Sequence, residues 1–269
     1  MFDQLIHRWL RIPYTLHTQV TQRAKPRVTV MFIHGIGNSG KVWADVIHRL
    51  PKDVRCVTVD LLGFGESPKP SWAVYNARTQ ARSVLATYVK LRLFGPVILV
   101  GHSLGSLVAV EVARRYRLLV KALVLVSPPF YHLDSEERRL LPRPEKVLRF
   151  LYKFIQKHPD EFMNIAELAM RYKLISGAFE VDRDGVGSYM ATLEAAIVNQ
   201  TAILDVQKLN QPIRIIHGMV DPVVVASNLT FLEKTRPNIS LRHVAAGHEL
   251  TGFMNPAVCK AIEALRSTM

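Results

Sequence analysis

The apolar positions of the chain follow two alternating patterns. Short continuous runs rich in Val, Ile and Leu are separated by longer segments whose apolar residues recur every three or four positions. The short runs are typical of strands buried on both faces, and the longer period is typical of helices. The clearest runs are RVTVMFIHG, VRCVTVD, PVILVGH, KALVLVSPP and QPIRIIHG. This alternation predicts an α/β fold with a mostly parallel central sheet and helices on both faces.

The pattern changes in residues 130–201. This region has no convincing strand, and its apolar positions are spaced as in amphipathic helices. We therefore predict a core formed by residues 1–129 and 202–269, with residues 130–201 inserted as a helical lid. The large apolar side chains of the lid either pack on the core, which we favour, or line an acyl pocket. They are Leu148, Leu151, Phe154, Phe162, Met163 and Met190.

Composition limits where the protein can reside. Hydrophobic residues make up 49% of the 269 residues, which is enough for a sizeable core. No apolar stretch reaches the length of a membrane-spanning helix, and charged residues interrupt the apolar residues near the N-terminus, unlike in a signal peptide. Cys56 and Cys259 are too few for a disulfide framework or a metal cluster, and we expect idle, buried thiols. These features predict an unexported, cytoplasmic protein.

The formal net charge of +13 raises the question of a polyanionic partner. The basic residues are scattered, and no motif that reads DNA or RNA accompanies them, so we expect no specific nucleic-acid partner. Weak association with an anionic membrane surface stays open. Near the N-terminus, an interfacial anchor and a short helix docked on the core are both compatible with the sequence, and we favour docking. The apolar residues concerned are Phe2, Leu5, Ile6, Trp9 and Leu10.

The stretch VGHSLGS places Ser103 between an apolar strand and a predicted helix. Gly101 and Gly105 lack side chains that would block a sharp turn, so Ser103 is expected at the apex of the turn. A serine held there is a candidate nucleophile, because a strand, a sharp turn and a helix present its hydroxyl to solvent. A simple turn residue is the alternative.

A serine nucleophile needs a base and a group that orients the base. Asp221 and His248 each follow a predicted strand, and loops at the carboxyl ends of parallel strands gather at one edge of a sheet. Both assignments have rivals in the sequence. Buried strand histidines compete with His248, and other acidic residues are conceivable substitutes for Asp221. These rivals are His217, His243, Asp134 and Asp205.

A tetrahedral intermediate also needs donors for its negative oxygen. The backbone N–H of Leu104, at the start of the helix after Ser103, and that of Ile36, in the loop after an earlier strand, are the candidates. The same loop has the spacing Gly-x-Gly-x-x-Gly in GIGNSG, which suggests a dinucleotide-binding loop as the alternative. The nearest acidic residue after the next strand, Asp60, runs directly into LLGFGES and leaves no free ribose partner.

Taken together, five motifs resemble the α/β-hydrolase superfamily, and within it the lidded serine hydrolases. HGIGNSGKVW is similar to the oxyanion loop, DLLGFGES to the loop after the following strand, and GHSLGS to the nucleophile elbow. HGMVDPVV and AAGHE are similar to the loops of the acid and the base. The resemblance covers nearly the whole chain. It implies Ser103 as nucleophile, Asp221 and His248 as acid and base, and Ile36 and Leu104 as oxyanion donors.

The expected activity is hydrolysis of a small-molecule carboxylic ester through an acyl-serine intermediate, with no metal or organic cofactor. The resemblance sets aside epoxide hydrolases and haloalkane dehalogenases, which carry Asp where this chain has Ser103. Carbon–carbon bond hydrolysis and monoacylglycerol lipase activity are the alternatives of the same fold. A ligand-binding protein that keeps the fold is the alternative outside enzymes. The oligomeric state stays open.

Overall fold

A computed structural model describes residues 2–21, 26–93, 95, 97–131, 153–171, 185–198 and 201–268. Seven strands form one sheet in the order β1-β3-β2-β4-β5-β6-β7. The strands are β1 Thr18–Thr21, β2 Val28–Ile33, β3 Val54–Val59, β4 Val97–His102, β5 Val120–Val126, β6 Ile213–Gly218 and β7 Ile239–Val244. All neighbours are parallel except β1, which pairs antiparallel with β3 and not with β2, the next strand along the chain. The predicted mostly parallel sheet is confirmed.

Helices connect the strands. They are α1 Phe2–Gln4, α2 Ala44–Arg49, α3 Ala77–Lys90, α4 Leu104–Arg115, α5 Pro159–Arg171, α6 Gly185–Thr192, α7 Ala202–Val206, α8 Ala226–Thr235 and α9 Met254–Arg266. Gly40–Trp43 forms a 3-10 turn, and Leu5–Trp9 and Leu193–Val198 are π-helical. The start of α3 shows how local sequence sets a boundary. The Asn76 side chain accepts a hydrogen bond from the Thr79 N–H at 2.9 Å, as an N-cap does. Within the described residues, no helix is long and apolar enough to cross a bilayer.

The centre of the sheet is buried on both faces, since every residue of β2 and β4 is buried. In β2, Met31 and Ile33 contribute to one apolar cluster, and Val30 and Phe32 to the other, as the two-residue period of a strand requires. Helices α3 and α4 contribute to the first cluster, and α2 and α9 to the second. The predicted helices on both faces are therefore confirmed.

The chain turns in opposite directions after β2 and β4. β2 lies between β3 and β4. The chain therefore moves toward the β1 edge of the sheet after β2 and toward the β7 edge after β4. In a parallel sheet such a point leaves a crevice at the carboxyl ends of the strands, where ligands bind. The loops that contain Gly35 and Ser103 leave the sheet at this point.

The predicted lid region is described only in part. Residues 153–157, α5 and α6 are helical, in agreement with the amphipathic pattern. Phe162 is buried, and Phe154 and Met190 pack against the first apolar cluster, so these side chains contact the core as favoured. Leu148, Leu151 and the side chain of Met163 lie outside the described residues. The role of residues 130–201 as a lid stays a prediction.

The N-terminal segment docks on the body of the molecule through a polar side chain. The ring of His7 stacks on buried Tyr14, with a centroid distance of 3.6 Å. Its apolar residues Phe2, Leu5 and Trp9 stay exposed. The segment therefore docks on the core, as favoured from the sequence. Ile6 is half-buried, but Phe2, Leu5 and Trp9 do not take part in the contact. Cys56 and Cys259 are buried thiols, as expected.

Candidate active site

Ser103 lies in a strained turn between β4 and α4. Its backbone has φ 50° and ψ −117°, a conformation that non-glycine residues rarely adopt. Its amide N–H donates to the Val126 carbonyl at 2.9 Å, and its carbonyl accepts from the Ser106 N–H at 2.9 Å. These bonds hold the serine in a backbone conformation that costs free energy. The predicted strand, sharp turn and helix are therefore present around it.

Gly101 and Gly105 allow close packing around this turn. Neither has a positive φ, so they act by lacking a side chain and not by an unusual backbone conformation of their own. A Cβ on Gly101 would lie 2.6 Å from the Ser106 nitrogen, and one on Gly105 would lie 2.7 Å from the His34 carbonyl oxygen. Both distances are shorter than real Cβ contacts. The turn therefore requires glycine at these two positions.

His248, which is half-buried, forms a hydrogen bond with the buried Asp221. The His248 Nδ1 lies 2.8 Å from Asp221 Oδ2, and the other carboxylate oxygen accepts the N–H groups of Val223 at 2.8 Å and Val224 at 3.2 Å. Burial raises the pKa of Asp221, but the hydrogen bond and charge of His248, together with the Val223 N–H, more than offset this and keep the pKa below its usual value. The ionised carboxylate fixes the Nδ1–H form of His248, which leaves Nε2 with its lone pair.

His102 links the loop of His248 to the turn of Ser103. Its Nε2–H donates to the His248 carbonyl at 2.8 Å, and the two rings lie 5.1 Å apart. Burial lowers the pKa of His102 to about 3, and the charge of His248 adds to the effect, so the imidazole is neutral. The sequence reasoning missed this residue, although it directly precedes Ser103 in GHSLGS. Within the described part of the chain, the Ser103 hydroxyl itself has no hydrogen-bond partner.

The two expected oxyanion donors lie beside Ser103. A Cβ on Gly35 would be 3.3 Å from the Cβ of Ser103, so the loop that contains Ile36 passes directly over the serine. Leu104 is the first residue of α4, and its N–H points out of the helical hydrogen-bond ladder. Among the residues that the structure describes, neither the Ile36 N–H nor the Leu104 N–H has an acceptor. Both are available to an oxyanion.

Neighbouring polar groups hold the loop of Ile36 in place. The His34 Nδ1–H donates to the Gly35 carbonyl at 2.6 Å, and its Nε2 accepts the Leu61 N–H at 2.8 Å. The Asp60 carboxylate accepts the Gly40 N–H at 2.7 Å. The amide of the third glycine of GIGNSG is therefore already bonded, and Asp60 supports the loop itself. A dinucleotide would need that amide and that carboxylate free, which argues against the dinucleotide interpretation.

The rival residues of the sequence have other contacts. The Nδ1 atoms of His217 and His243 lie 3.1 Å apart on β6 and β7, and each histidine hydrogen-bonds to the other. Burial lowers the pKa of His217. Asp205 lies within ion-pair distance of Arg114 at 3.7 Å and Lys208 at 3.8 Å. Asp134 lies outside the described residues. Among the candidates that are described, only Asp221 and His248 form a hydrogen bond between an acid and a base.

A model of the alpha/beta hydrolase fold family matches residues 28–251. The chain belongs to this family. The match covers every loop of the candidate site, and it confirms the resemblance to the α/β-hydrolase superfamily. In this alpha/beta hydrolase, the loops that contain Ser103, Asp221 and His248 all follow the carboxyl ends of strands.

Relatives of this alpha/beta hydrolase carry different names. The chain is 26% identical over 241 residues to 2-(acetamidomethylene)succinate hydrolase of Mesorhizobium japonicum, covering 85% of this chain and 84% of that protein. It is 34% identical over 114 residues to "Probable lysophospholipase BODYGUARD 4" of Arabidopsis thaliana, covering 42% of this chain and 27% of that protein. The match thus spans about a quarter of the plant relative. An esterase structure from Exiguobacterium antarcticum superposes with a TM-score of 0.76 at 16% identity, covering 94% of this chain and 95% of that one, and shows the fold alone.

Proposed function

We propose that this alpha/beta hydrolase cleaves carboxylic esters through an acyl-serine intermediate. The observation that carries the proposal is the 2.8 Å hydrogen bond between His248 and Asp221 in loops next to the strained turn of Ser103. The free N–H groups of Ile36 and Leu104 supply the remaining requirement. Acyl transfer needs these four parts: a nucleophile, a base, an acid that orients the base, and oxyanion donors.

In the first half of the reaction, the Ser103 hydroxyl attacks the ester carbonyl carbon and its proton passes to His248 Nε2. The carbonyl oxygen becomes negatively charged and accepts the N–H groups of Ile36 and Leu104. The Asp221 carboxylate stabilises the imidazolium that forms. When the tetrahedral intermediate collapses, the bond to the alcohol oxygen breaks, and His248 returns the proton to the leaving alcohol.

In the second half, water attacks the acyl-serine carbonyl while His248 accepts its proton. Collapse of the second tetrahedral intermediate releases the carboxylic acid, and Ser103 regains its proton. The Ser103 hydroxyl lacks a partner among the described residues, and contacts of this kind often tighten only when substrate binds.

The test is hydrolysis of p-nitrophenyl esters from acetate to palmitate, with fluorophosphonate labelling in parallel. A single-chain lysophospholipid belongs in the panel because of the plant relative's printed name. We expect turnover and labelling in the wild type, and a loss of at least about 10⁴-fold in kcat for Ser103→Ala. Ser71→Ala, at an exposed serine, is the matched control and should behave as the wild type.

The outcomes separate the alternatives. Labelling at Ser103 without turnover of any ester would favour a carbon–carbon bond hydrolase, and preference for a monoacylglycerol would favour a lipase. Ligand binding that persists in Ser103→Ala, with no labelling of the wild type, would contradict the proposal in favour of a binding protein.

The assignment of the acid has its own test. Asp221→Asn removes the charge that fixes the Nδ1–H form of His248, and we expect kcat to fall by about 10⁴-fold. Asp205→Asn is the control, because Asp205 is the described rival and pairs with surface cations. Steady-state kinetics of both variants decide the point. Equal losses in the two variants would contradict the assignment.

A further inference from the structure

The N-terminal segment exposes an unusual amount of apolar surface. Phe2 is 78% exposed, Leu5 49% and Trp9 76%. Their spacing of three and four residues places them on one side of the helical turns. Leu10 and Ile12 are also exposed. No other stretch of similar length in the described residues carries as many exposed large apolar side chains, and such a concentration marks an interaction surface.

Polar contacts hold this segment against the body of the molecule. The Tyr14 hydroxyl donates to Asp3 Oδ2 at 2.7 Å, and within the segment His7 Nδ1 lies 2.7 Å from the Ile12 carbonyl oxygen. Arg82, on α3, donates to the Arg11 carbonyl at 2.6 Å. An amphipathic segment that docks on a core normally buries its apolar side. Here polar contacts face the protein, and Phe2, Leu5 and Trp9 face outward.

Basic side chains surround the exposed apolar residues. Arg8, Arg11 and Arg82 line a cleft of about 470 Å³, together with the aromatic rings of Tyr14 and Trp72. Within the described part of the chain, none of the three arginines forms an ion pair with a carboxylate. Segments that lie in a membrane interface typically combine arginine side chains with exposed tryptophan and phenylalanine, as this one does.

We propose that this N-terminal surface, formed by Phe2, Leu5, Trp9, Arg8 and Arg11, binds the surface of an anionic phospholipid bilayer. The apolar side chains enter the boundary between headgroups and acyl chains, and the arginines contact lipid phosphates. The net charge of +13 complements such a surface. A second copy of the chain would bring arginines against arginines. A nucleic acid would pair with the arginines but leave Phe2 and Trp9 exposed to water.

The surface lies at the same edge of the sheet as the candidate active site. Its cleft includes Leu62, in the loop that follows β3, and Val74, which precedes α3. The loops of Ile36 and Ser103 also leave the sheet at the carboxyl ends of their strands. Docking through the N-terminal surface therefore turns this edge of the molecule toward the bilayer.

Sedimentation with sucrose-loaded vesicles tests the proposal. The full chain carries Ser103→Ala, so that hydrolysis leaves the vesicles unchanged and the result is independent of the proposed esterase activity. We expect binding to vesicles of phosphatidylcholine mixed with phosphatidylglycerol, weak binding to phosphatidylcholine alone, and weaker binding at high salt. Trp9 fluorescence should be quenched by brominated acyl chains. Trp43 is buried, and Trp9→Phe identifies the share of the signal that comes from Trp9.

Matched variants locate the surface. Trp9→Ser should weaken binding to both kinds of vesicle, and Arg8→Gln and Arg11→Gln should each weaken binding to the mixed vesicles by about fivefold. The control pair is Leu118→Ser with Arg117→Gln. Leu118 is 99% exposed and Arg117 is exposed, but both lie in the turn before β5, at the opposite edge of the sheet. The control pair should bind like the wild type.

Four results would overturn the proposal. The first is the absence of binding to the mixed vesicles. The second is an equal loss in the control pair and in Trp9→Ser. The third is binding without quenching of Trp9. The fourth is binding of a DNA duplex that depends on Arg8 and Arg11 and outcompetes the vesicles, which would assign the surface to nucleic acid.

Discussion

At the scale of the residue, His102 holds the loop of His248, the proposed base, without touching the reacting atoms. Its Nε2–H donates to the carbonyl of His248, and burial keeps the imidazole neutral with a pKa of about 3. A histidine in the unfolded chain has a pKa of about 6.5. Between these two values the unfolded state binds a proton that the folded state does not, so stability falls as the pH falls below 6.5.

His102→Leu should therefore reduce activity and flatten the acid dependence of stability. Displacement of the His248 loop is expected to lower kcat by about 100-fold with little change in KM. The wild type should lose about 2 kcal/mol more than the variant when the pH falls from 7 to 5, from the protonation of unfolded His102. Urea unfolding at both pH values and steady-state kinetics measure the two effects.

His102→Gln is the matched variant, since its amide N–H can replace the donor without a titratable ring. It should recover part of the lost kcat and still show the flattened acid dependence. If His102→Leu kept full kcat, the positioning role would be wrong. If it lost stability with acid as steeply as the wild type, the neutral buried imidazole would be wrong.

At the scale of the element, the approach of α4 to the sheet determines the geometry of the turn. Gly105, in the first turn of α4, has no room for a Cβ next to the backbone of Ile33 and His34. A side chain there would push α4 away from β2 and move both Ser103 and Leu104. The loop of Ile36 follows β2, so the same shift would change the distance between this loop and Ser103.

We expect Gly105→Ala to lower the free energy of unfolding by about 1–3 kcal/mol. We also expect a fall in kcat/KM, because nucleophile and oxyanion donor move together. Gly187→Ala, on α6, is the control. Its Cβ would meet open space, so stability should change by no more than about 0.5 kcal/mol. Denaturant unfolding and ester hydrolysis report both quantities, and a Gly105→Ala enzyme with wild-type values would contradict this account.

Local sequence determines the elements more completely than the pairing between them. The motif around Ser103 predicted its strand, turn and helix. The apolar periods of the strand and the helix, and the two glycines that allow the sharp turn, are all visible within a few residues. The pairing of β1 with β3 was not predictable, since it depends on contacts distant in sequence. The same holds for His102. Its adjacency to Ser103 was visible, but its bond to the carbonyl of His248 joins residues 146 positions apart.

At the scale of the whole molecule, the N-terminal surface and the candidate active site occupy the same edge of the sheet. The loops after β2, β4, β6 and β7 leave the sheet at the carboxyl ends of the parallel strands. The cleft lies at the same end, beside the loop after β3. An enzyme held by this edge would meet esters embedded in the bilayer more often than esters dissolved in bulk water. The two proposals thus combine into one expectation about substrate presentation.

We expect a fluorogenic long-chain ester to be hydrolysed about tenfold faster in mixed phosphatidylcholine–phosphatidylglycerol vesicles than in phosphatidylcholine vesicles, because basic residues raise occupancy of the anionic surface. Added salt should remove this gain. Trp9→Ser should also remove it while leaving the hydrolysis of a dissolved short-chain ester unchanged, because Trp9 is outside the candidate site. Initial rates with both substrates measure the difference. If Trp9→Ser lowered the rate equally on the two substrates, Trp9 would instead support the fold. If the wild type had equal rates on the two vesicle types, membrane binding would have no effect on catalysis.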